Sequence, residues 1–332
     1  MGRMDSRGWP RFGACGSAGG SAEDTRDEVS GVRPCMPRRP ERVGPYRVLG
    51  VLGEGGMGVV YLAERGTTRV AVKCLRTAPG AGARRRFEAE AFVQSALSHP
   101  NVVRVLDGDT GPEPYLVLEL VEGPSLLALC SALGARGLRL PIDACLYVAE
   151  RAARALAHAH ALEDEHGRSL EIVHRDVSPS NLLLTREGSV KLTDFGLVRH
   201  RDRDWATTAG LALGKIGYMP PELLRGGEVD ARADVYALGV VLWECLTGRV
   251  LVPRRSLFEA AERVVQGQHP APSTWRPRVP TEVDALVARA ISIDPDARPS
   301  AAGLASALCL ARRGRGRRTL ERAVRGEGGA AC

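Results

Sequence analysis

With 332 residues, 44% of them hydrophobic, the chain has ample material for a packed core and is globular over most of its length, as one large domain or two small ones. A net charge of +7 would suggest nucleic acid or membrane, but residues 312–332 hold seven Arg and two Glu and supply +5 of it. The basic excess is therefore a property of the tail and does not point to nucleic acid as a partner. Eight cysteines occur without a CxxC pair or a Cys/His cluster at zinc spacing, and several, such as Cys145 and Cys245, sit in apolar runs as buried reduced thiols would. No apolar run has bilayer length, since the longest, Ala237 to Leu246, is interrupted by Glu244. The N-terminus also lacks a signal-peptide core. These features predict a soluble, cytoplasmic protein.

In chain order, residues 1–43 form an extension rich in Gly, Ser, Arg and Pro as far as Pro40, without periodicity, and are expected to be disordered. From Tyr46 the texture changes. Tyr46–Leu52, Val59–Ala63 and Val70–Leu75 read as strands separated by glycine turns, Arg84–Leu97 as a helix, and Val102–Asp107 and Tyr115–Leu120 as two more strands. These elements make a small α+β lobe over about 44–121. Helical repeats follow at Ile142–Leu162, Val235–Thr247, Leu257–Val265, Val283–Ile291 and Ala301–Arg312, giving a larger, mostly helical lobe over about 122–311. An Arg/Gly-rich segment, 312–332, is expected to be a disordered tail. Clefts between such lobes are where small ligands tend to bind.

Two motifs carry chemistry. Gly53-Glu54-Gly55-Gly56-Met57-Gly58-Val59-Val60 joins two strands, and the next strand carries Val70-Ala71-Val72-Lys73. The glycines can serve only the turn's backbone, and Lys73 can be an ordinary strand residue. Together they also suit phosphate, because a glycine loop brings N–H groups over it while a lysine neutralises it. The second motif is His174-Arg175-Asp176-Val177-Ser178-Pro179-Ser180-Asn181, followed thirteen residues after Asn181 by Asp194-Phe195-Gly196. Asp176 can accept a hydroxyl proton, and Asn181 and Asp194 can offer oxygens to a hard cation such as Mg²⁺.

With these motifs in this order, the sequence from about Tyr46 to Leu310 resembles the eukaryotic-type (Hanks-type) protein kinases, especially their bacterial serine/threonine branch. The resemblance implies a two-lobed fold and signalling by transfer of the γ-phosphate of ATP, with Mg²⁺ or alternatively Mn²⁺, to Ser/Thr hydroxyls of protein substrates. It also implies autophosphorylation of the activation loop, which self-association would serve. Lys73 would hold the α- and β-phosphates and pair with Glu90, with Glu88 as the runner-up. Gly53, Glu54, Gly55, Gly56, Met57, Gly58, Val60 and Ala71 would line the nucleotide. Leu118 would be the gatekeeper, with the backbone of Glu119 and Val121 facing the adenine. Asp176 would be the base, and Asn181 and Asp194 the metal ligands. Glu222 would pair with Arg298, and Asp234 would brace the catalytic loop. Phosphate on Thr207 or Thr208 would pair with Arg175 and Arg199. The alternative is a pseudokinase acting as a scaffold, whose usual mark, loss of one of these residues, is absent here. A small-molecule phosphotransferase fits less well, because Gly217–Glu222 and Arg298 match the type that acts on proteins.

Two positions depart from the family pattern. Ser178 stands where a serine/threonine kinase has Lys, and Lys215 stands where it has Thr; neither matches the tyrosine-kinase pattern. The pair resembles a variant of myxobacterial kinases. In the family those two positions are neighbours, so Lys215 either supplies from the other side the charge that Ser178 lacks, or faces solvent or an acidic substrate.

Overall fold

The computed structural model describes residues 40–55, 58–75, 81–195, 215–253, 256–312, 314–327 and 330–331. The extension up to residue 39, Gly56, Met57, Arg199, Thr207 and Thr208 lie outside the described residues. The chain divides into two compact units, one of residues 1–84 with 105–120, the other of 85–104 with 121–332.

The first unit is an antiparallel sheet. Its strands are β1 (Arg42–Val43), β2 (Tyr46–Gly55), β3 (Gly58–Arg65), β4 (Thr68–Leu75), β5 (Val105–Asp109) and β6 (Tyr115–Glu119), in spatial order β1-β2-β3-β4-β6-β5. The last residues of the expected extension are therefore structured, Arg42 and Val43 pairing with Arg47 and Tyr46. Successive strand residues face opposite sides, and this alternation sorts the sheet. Val70 and Val72 of β4 join Tyr46, Ala63 and Val117 in a small apolar core. Ala71 and Lys73 point the other way, opposite Leu118 of β6 and Val60 of β3 respectively. The strand expected to begin at Val102 begins at Val105, because Val102 and Val103 bridge instead to Leu192 in the second unit.

Helix α1 (Ala81–Ala96) starts in the first unit and from Arg85 belongs to the second. The second unit continues with α2 (Leu126–Gly134), β7 (Leu138–Arg139), α3 (Ile142–His160), the hairpin β8 (Leu182–Leu184) and β9 (Val190–Leu192), α4 (Pro221–Leu224), α5 (Arg232–Thr247), α6 (Leu257–Gln266), α7 (Pro272–Trp275), α8 (Thr281–Ala290) and α9 (Ala301–Ala311). Helix α5 is apolar on almost all sides, which makes it a core helix. Helix α3 lays a buried face of small residues, Ala144, Ala149, Ala152, Ala153, Ala155 and Ala159, into the same core, so its neighbours approach closely. Among the described residues no helix is long and apolar enough to cross a membrane.

The expected disordered tail is instead partly folded. Gly316–Val324 forms α10 against α3, and Ala330–Ala331 pairs as β10 with β7. Leu320 and Ala323 are fully buried, with Gly316 one turn before Leu320 on the same face. A Cβ at 316 would stand 2.4 Å from that of Tyr147, so only glycine lets the helix start here. The arginines lie on the other faces. Arg317 and Arg325 donate to the carbonyls of Glu187 and Arg186 in the β8–β9 turn, at 3.1 and 3.4 Å. Glu150 on α3, fully buried, is flanked by Arg154 Nε at 2.9 Å and Arg312 Nη2 at 3.0 Å, the latter off the hydrogen-bond line. Leu320→Ala should therefore lower unfolding free energy by about 2–5 kcal/mol in urea titration. An unstructured tail would leave the curve unmoved.

Candidate active site

In the first unit, Gly53, Glu54 and Gly55 end β2, and Gly58 and Val60 begin β3, with Gly53 directly opposite Val60. The glycines differ in their reasons. A Cβ at Gly58 would stand 2.0 Å from the Cys74 carbonyl oxygen, so strand pairing itself requires glycine there. Gly53 and Gly55 meet nothing within 4 Å among the described residues and have no positive φ, so the fold asks nothing of them. Lys73 is 8% exposed, beside Val60, Ala71 and Leu118 on one sheet face; Glu119 ends β6. Cys74, next in the strand, has its thiol pushed up to about 12 by burial and then by Glu113, which makes it unreactive.

In the second unit, Glu90 of α1 is 4% exposed whereas Glu88 is half-buried, and Val121 follows β6. The loop 174–181 is tied down from below. Asp234, the third residue of α5 and fully buried, accepts the backbone N–H groups of His174 and Arg175, each at 2.8 Å, and His160 Nε2–H at 2.8 Å. These bonds hold Arg175 at φ +62, a left-handed conformation that a side chain ordinarily avoids. His174 Nδ1 accepts the Asp176 N–H at 3.2 Å, which leaves Nε2 as the donor to the Thr193 carbonyl at 3.1 Å. The imidazole is thus a neutral strut between the loop and the segment after β9, and the Phe195 ring packs 4.5 Å from it.

The β8–β9 register completes the arrangement. Leu182 pairs with Leu192, so Asn181 and Thr193 fall side by side and the Thr193 N–H donates to the Asn181 carbonyl at 3.0 Å. Asp194 comes next, at φ +58. Asn181 spends its amide N–H groups on the Asp176 carbonyl at 2.8 Å and on Asp176 Oδ2 at 3.0 Å. Its side-chain oxygen meets only a long 3.4 Å contact from Ser180 among the described residues. That oxygen and the Asp194 carboxylate are donors of the kind a hard divalent cation takes.

Lys215 also reaches this loop, its Nζ lying 2.5 Å from Asp176 Oδ2. It precedes a 3-10 turn, Ile216–Tyr218, whose residues are buried, and Tyr218 donates to Glu244 Oε2 at 2.6 Å. Farther on, Glu222 receives both Nη atoms of Arg298 at 2.7 and 2.8 Å, the pairing expected from the sequence; the Arg298 side chain is fully buried over the Tyr236 ring. Ser178, 3% exposed, bonds instead to Ser180 Oγ at 2.9 Å. Sequence reasoning missed His160 and Ser180. His160 lies on the helical run of α3, where nothing in the local pattern links it to Asp234, 74 positions later. Burial draws the Arg175 pKa below its ordinary value, and its Nε has no partner among the described residues. Asp234→Ala would orphan two buried N–H donors at about 1–3 kcal/mol each, so chemical denaturation should show a loss of several kcal/mol. A loss below about 1 kcal/mol would mean that something else holds the loop.

Comparison with known proteins agrees with this geometry. The protein kinase domain family matches residues 46–308. Serine/threonine-protein kinase PrkC of Bacillus subtilis is 38% identical over 257 residues, 76% of this chain and 38% of PrkC. Tyrosine-protein kinase MasK of Myxococcus xanthus is 36% identical over 274 residues, 80% of this chain and 42% of MasK. Serine/threonine-protein kinase PknD of Mycobacterium tuberculosis is 35% identical over 278 residues, 81% and 40% of the two chains. The chain spans about two-fifths of the length of these relatives. On the family match and these identities, the chain belongs to the protein kinases.

Proposed function

We propose that this chain is a serine/threonine protein kinase that transfers the γ-phosphate of ATP to hydroxyls of protein substrates. The observation that carries the proposal is the fixed geometry around Asp176, whose carboxylate is held by Asn181 within a loop that Asp234 braces. Asp176 takes the proton of the acceptor hydroxyl as its oxygen bonds to the γ-phosphorus and the bond to the β,γ-bridging oxygen breaks, releasing ADP. Asn181 and Asp194 would hold Mg²⁺, or Mn²⁺ in its place, which would neutralise phosphate charge when bound.

Lys73 takes the α- and β-phosphates in this reading, and Glu90 is the acid assigned to it. Gly53 and Gly55, which the fold does not require, leave the strand ends bare so that backbone can approach phosphate, together with Glu54, Gly56, Met57 and Gly58. Val60, Ala71 and Leu118 supply the apolar wall for the base, and Glu119 and Val121 its backbone bonds. Two relatives are called serine/threonine-protein kinases and one a tyrosine-protein kinase, so phosphoamino-acid analysis is part of the test. Incubated with labelled ATP, Mg²⁺ and a protein acceptor, the wild type should yield phosphoserine or phosphothreonine. Asp176→Asn and Lys73→Met should each lower turnover by ~10³-fold without changing the thermal melt. Substantial residual turnover in Asp176→Asn would remove that residue as base.

Activation proceeds through phosphate on Thr207 or Thr208, added in trans between copies of the chain. What supports this is Arg175, a half-buried cation whose Nε has no partner among the described residues. A phosphate would supply charge-assisted bonds there and to Arg199. Mass spectrometry of an active preparation should find this modification. A fully active enzyme unmodified at both threonines would rule the switch out.

A further inference from the structure

Asp176 Oδ2 has two partners among the described residues, Asn181 Nδ2 at 3.0 Å and Lys215 Nζ at 2.5 Å. Asn181 brings no charge, so Lys215 is the cation that contacts this carboxylate. Two positions after Asp176 the loop supplies no cation, because Ser178 is neutral, buried, and engaged by Ser180.

Lys215 is also well placed to act rather than merely neutralise. Its backbone runs directly into the buried turn Ile216–Tyr218 and the Glu222–Arg298 anchor, so the stem rises from a fixed base. The ammonium carries three N–H donors, of which the Asp176 bond uses one. Its side chain is 38% exposed and that of Asp176 27%, so both are open to an incoming acceptor and phosphate. An acceptor hydroxyl must sit about 3 Å from Asp176 and about 3–3.5 Å from the γ-phosphorus to react. A cation already on Asp176 is then a neighbour of the transferring phosphoryl group.

We infer that Lys215 is a catalytic residue, donating from the activation-segment side to the γ-phosphoryl oxygens during transfer and so doing what a lysine at position 178 would do from the loop side. The inference rests on the kinase reading above. In the step itself the acceptor oxygen forms the new P–O bond, its proton passes to Asp176, and ADP leaves with the electrons of the broken P–O bond. Lys215 gains and loses no proton; it offsets the negative charge on the equatorial oxygens. The two departures from the family pattern, Ser178 and Lys215, are in this account one exchange of a lysine and a hydroxyl across a single contact.

The test compares wild type, Lys215→Met, Ser178→Lys and the double variant Ser178→Lys/Lys215→Thr. Lys215→Met should lower kcat by ~10²-fold with KM for ATP nearly unchanged. The double variant should recover far more kcat than the two single effects combined predict, because the positions are coupled. A readout independent of turnover is the tightening of ADP by Mg²⁺ and aluminium fluoride, which mimic the transferring group, in the presence of an acceptor peptide. Wild type should show the tightening and Lys215→Met should lose it. An unaltered or raised kcat in Lys215→Met, a change confined to the acceptor KM, or equal tightening in both proteins overturns the inference. Should the wild type transfer to no acceptor, the kinase reading fails and the inference falls with it, whereas transfer by the wild type with unaltered kcat in Lys215→Met overturns the inference alone.

Discussion

The loop 174–181 depends on one buried carboxylate. Asp234 lies on the core helix α5 and is fully buried, a placement that costs several kcal/mol for an unpaired charge. Three hydrogen bonds offset that cost, two from consecutive backbone N–H groups of the loop and one from His160. Because those donors belong to His174 and Arg175, satisfying the charge and shaping the loop are one event. The unfavourable φ of Arg175 persists because relaxing it would strip Asp234 of a partner.

From that point order is relayed by polar contacts of low freedom. His174 accepts from Asp176 on one ring nitrogen and donates to Thr193 on the other, which couples the loop to the segment that ends in Asp194. The short hairpin between Asn181 and Asp194 is apolar where it meets the core, with Leu182, Leu184, Val190 and Leu192 all fully buried. Its spacing is therefore set by packing and its chemistry by the residues just beyond its ends. Farther along the chain, the bidentate Arg298–Glu222 pair does for Lys215 what Asp234 does for Asp176, fixing backbone so that a side chain can reach.

The sequence made the chemistry legible because it is local: Asp176, Asn181 and Asp194 stand within nineteen positions, and the glycines and Lys73 within twenty-one. Strands of period 2 and long amphipathic helices were readable for the same reason. What escaped was set by distance or by composition. The bond from His160 to Asp234 spans 74 positions, and no short pattern encodes it. Helix α2, Leu126–Gly134, is apolar nearly throughout and shows no stripe, although Ser125 caps it by accepting the Ala128 N–H. Helix α10 does carry a stripe, Gly316, Leu320 and Ala323, but only over nine residues and amid seven arginines that read as a solvated tail. The strand boundary at Val102 was misplaced because its pairing partner, Leu192, lies far along the chain, where no local pattern announces it.

The grip of α10 on the β8–β9 turn has a consequence in time. On a ribosome the residues from Asp176 to Asp194 are made well before Arg317 and Arg325, which at ordinary elongation rates arrive on the order of ten seconds later. During that interval the hairpin lacks its outer clasp, Glu150 lacks Arg312, and the α3 surface that receives Leu320 stands bare. Completion of the larger unit therefore waits for the end of translation of this stretch, and a growing chain holds residues 174–194 before it holds the clasp on their hairpin.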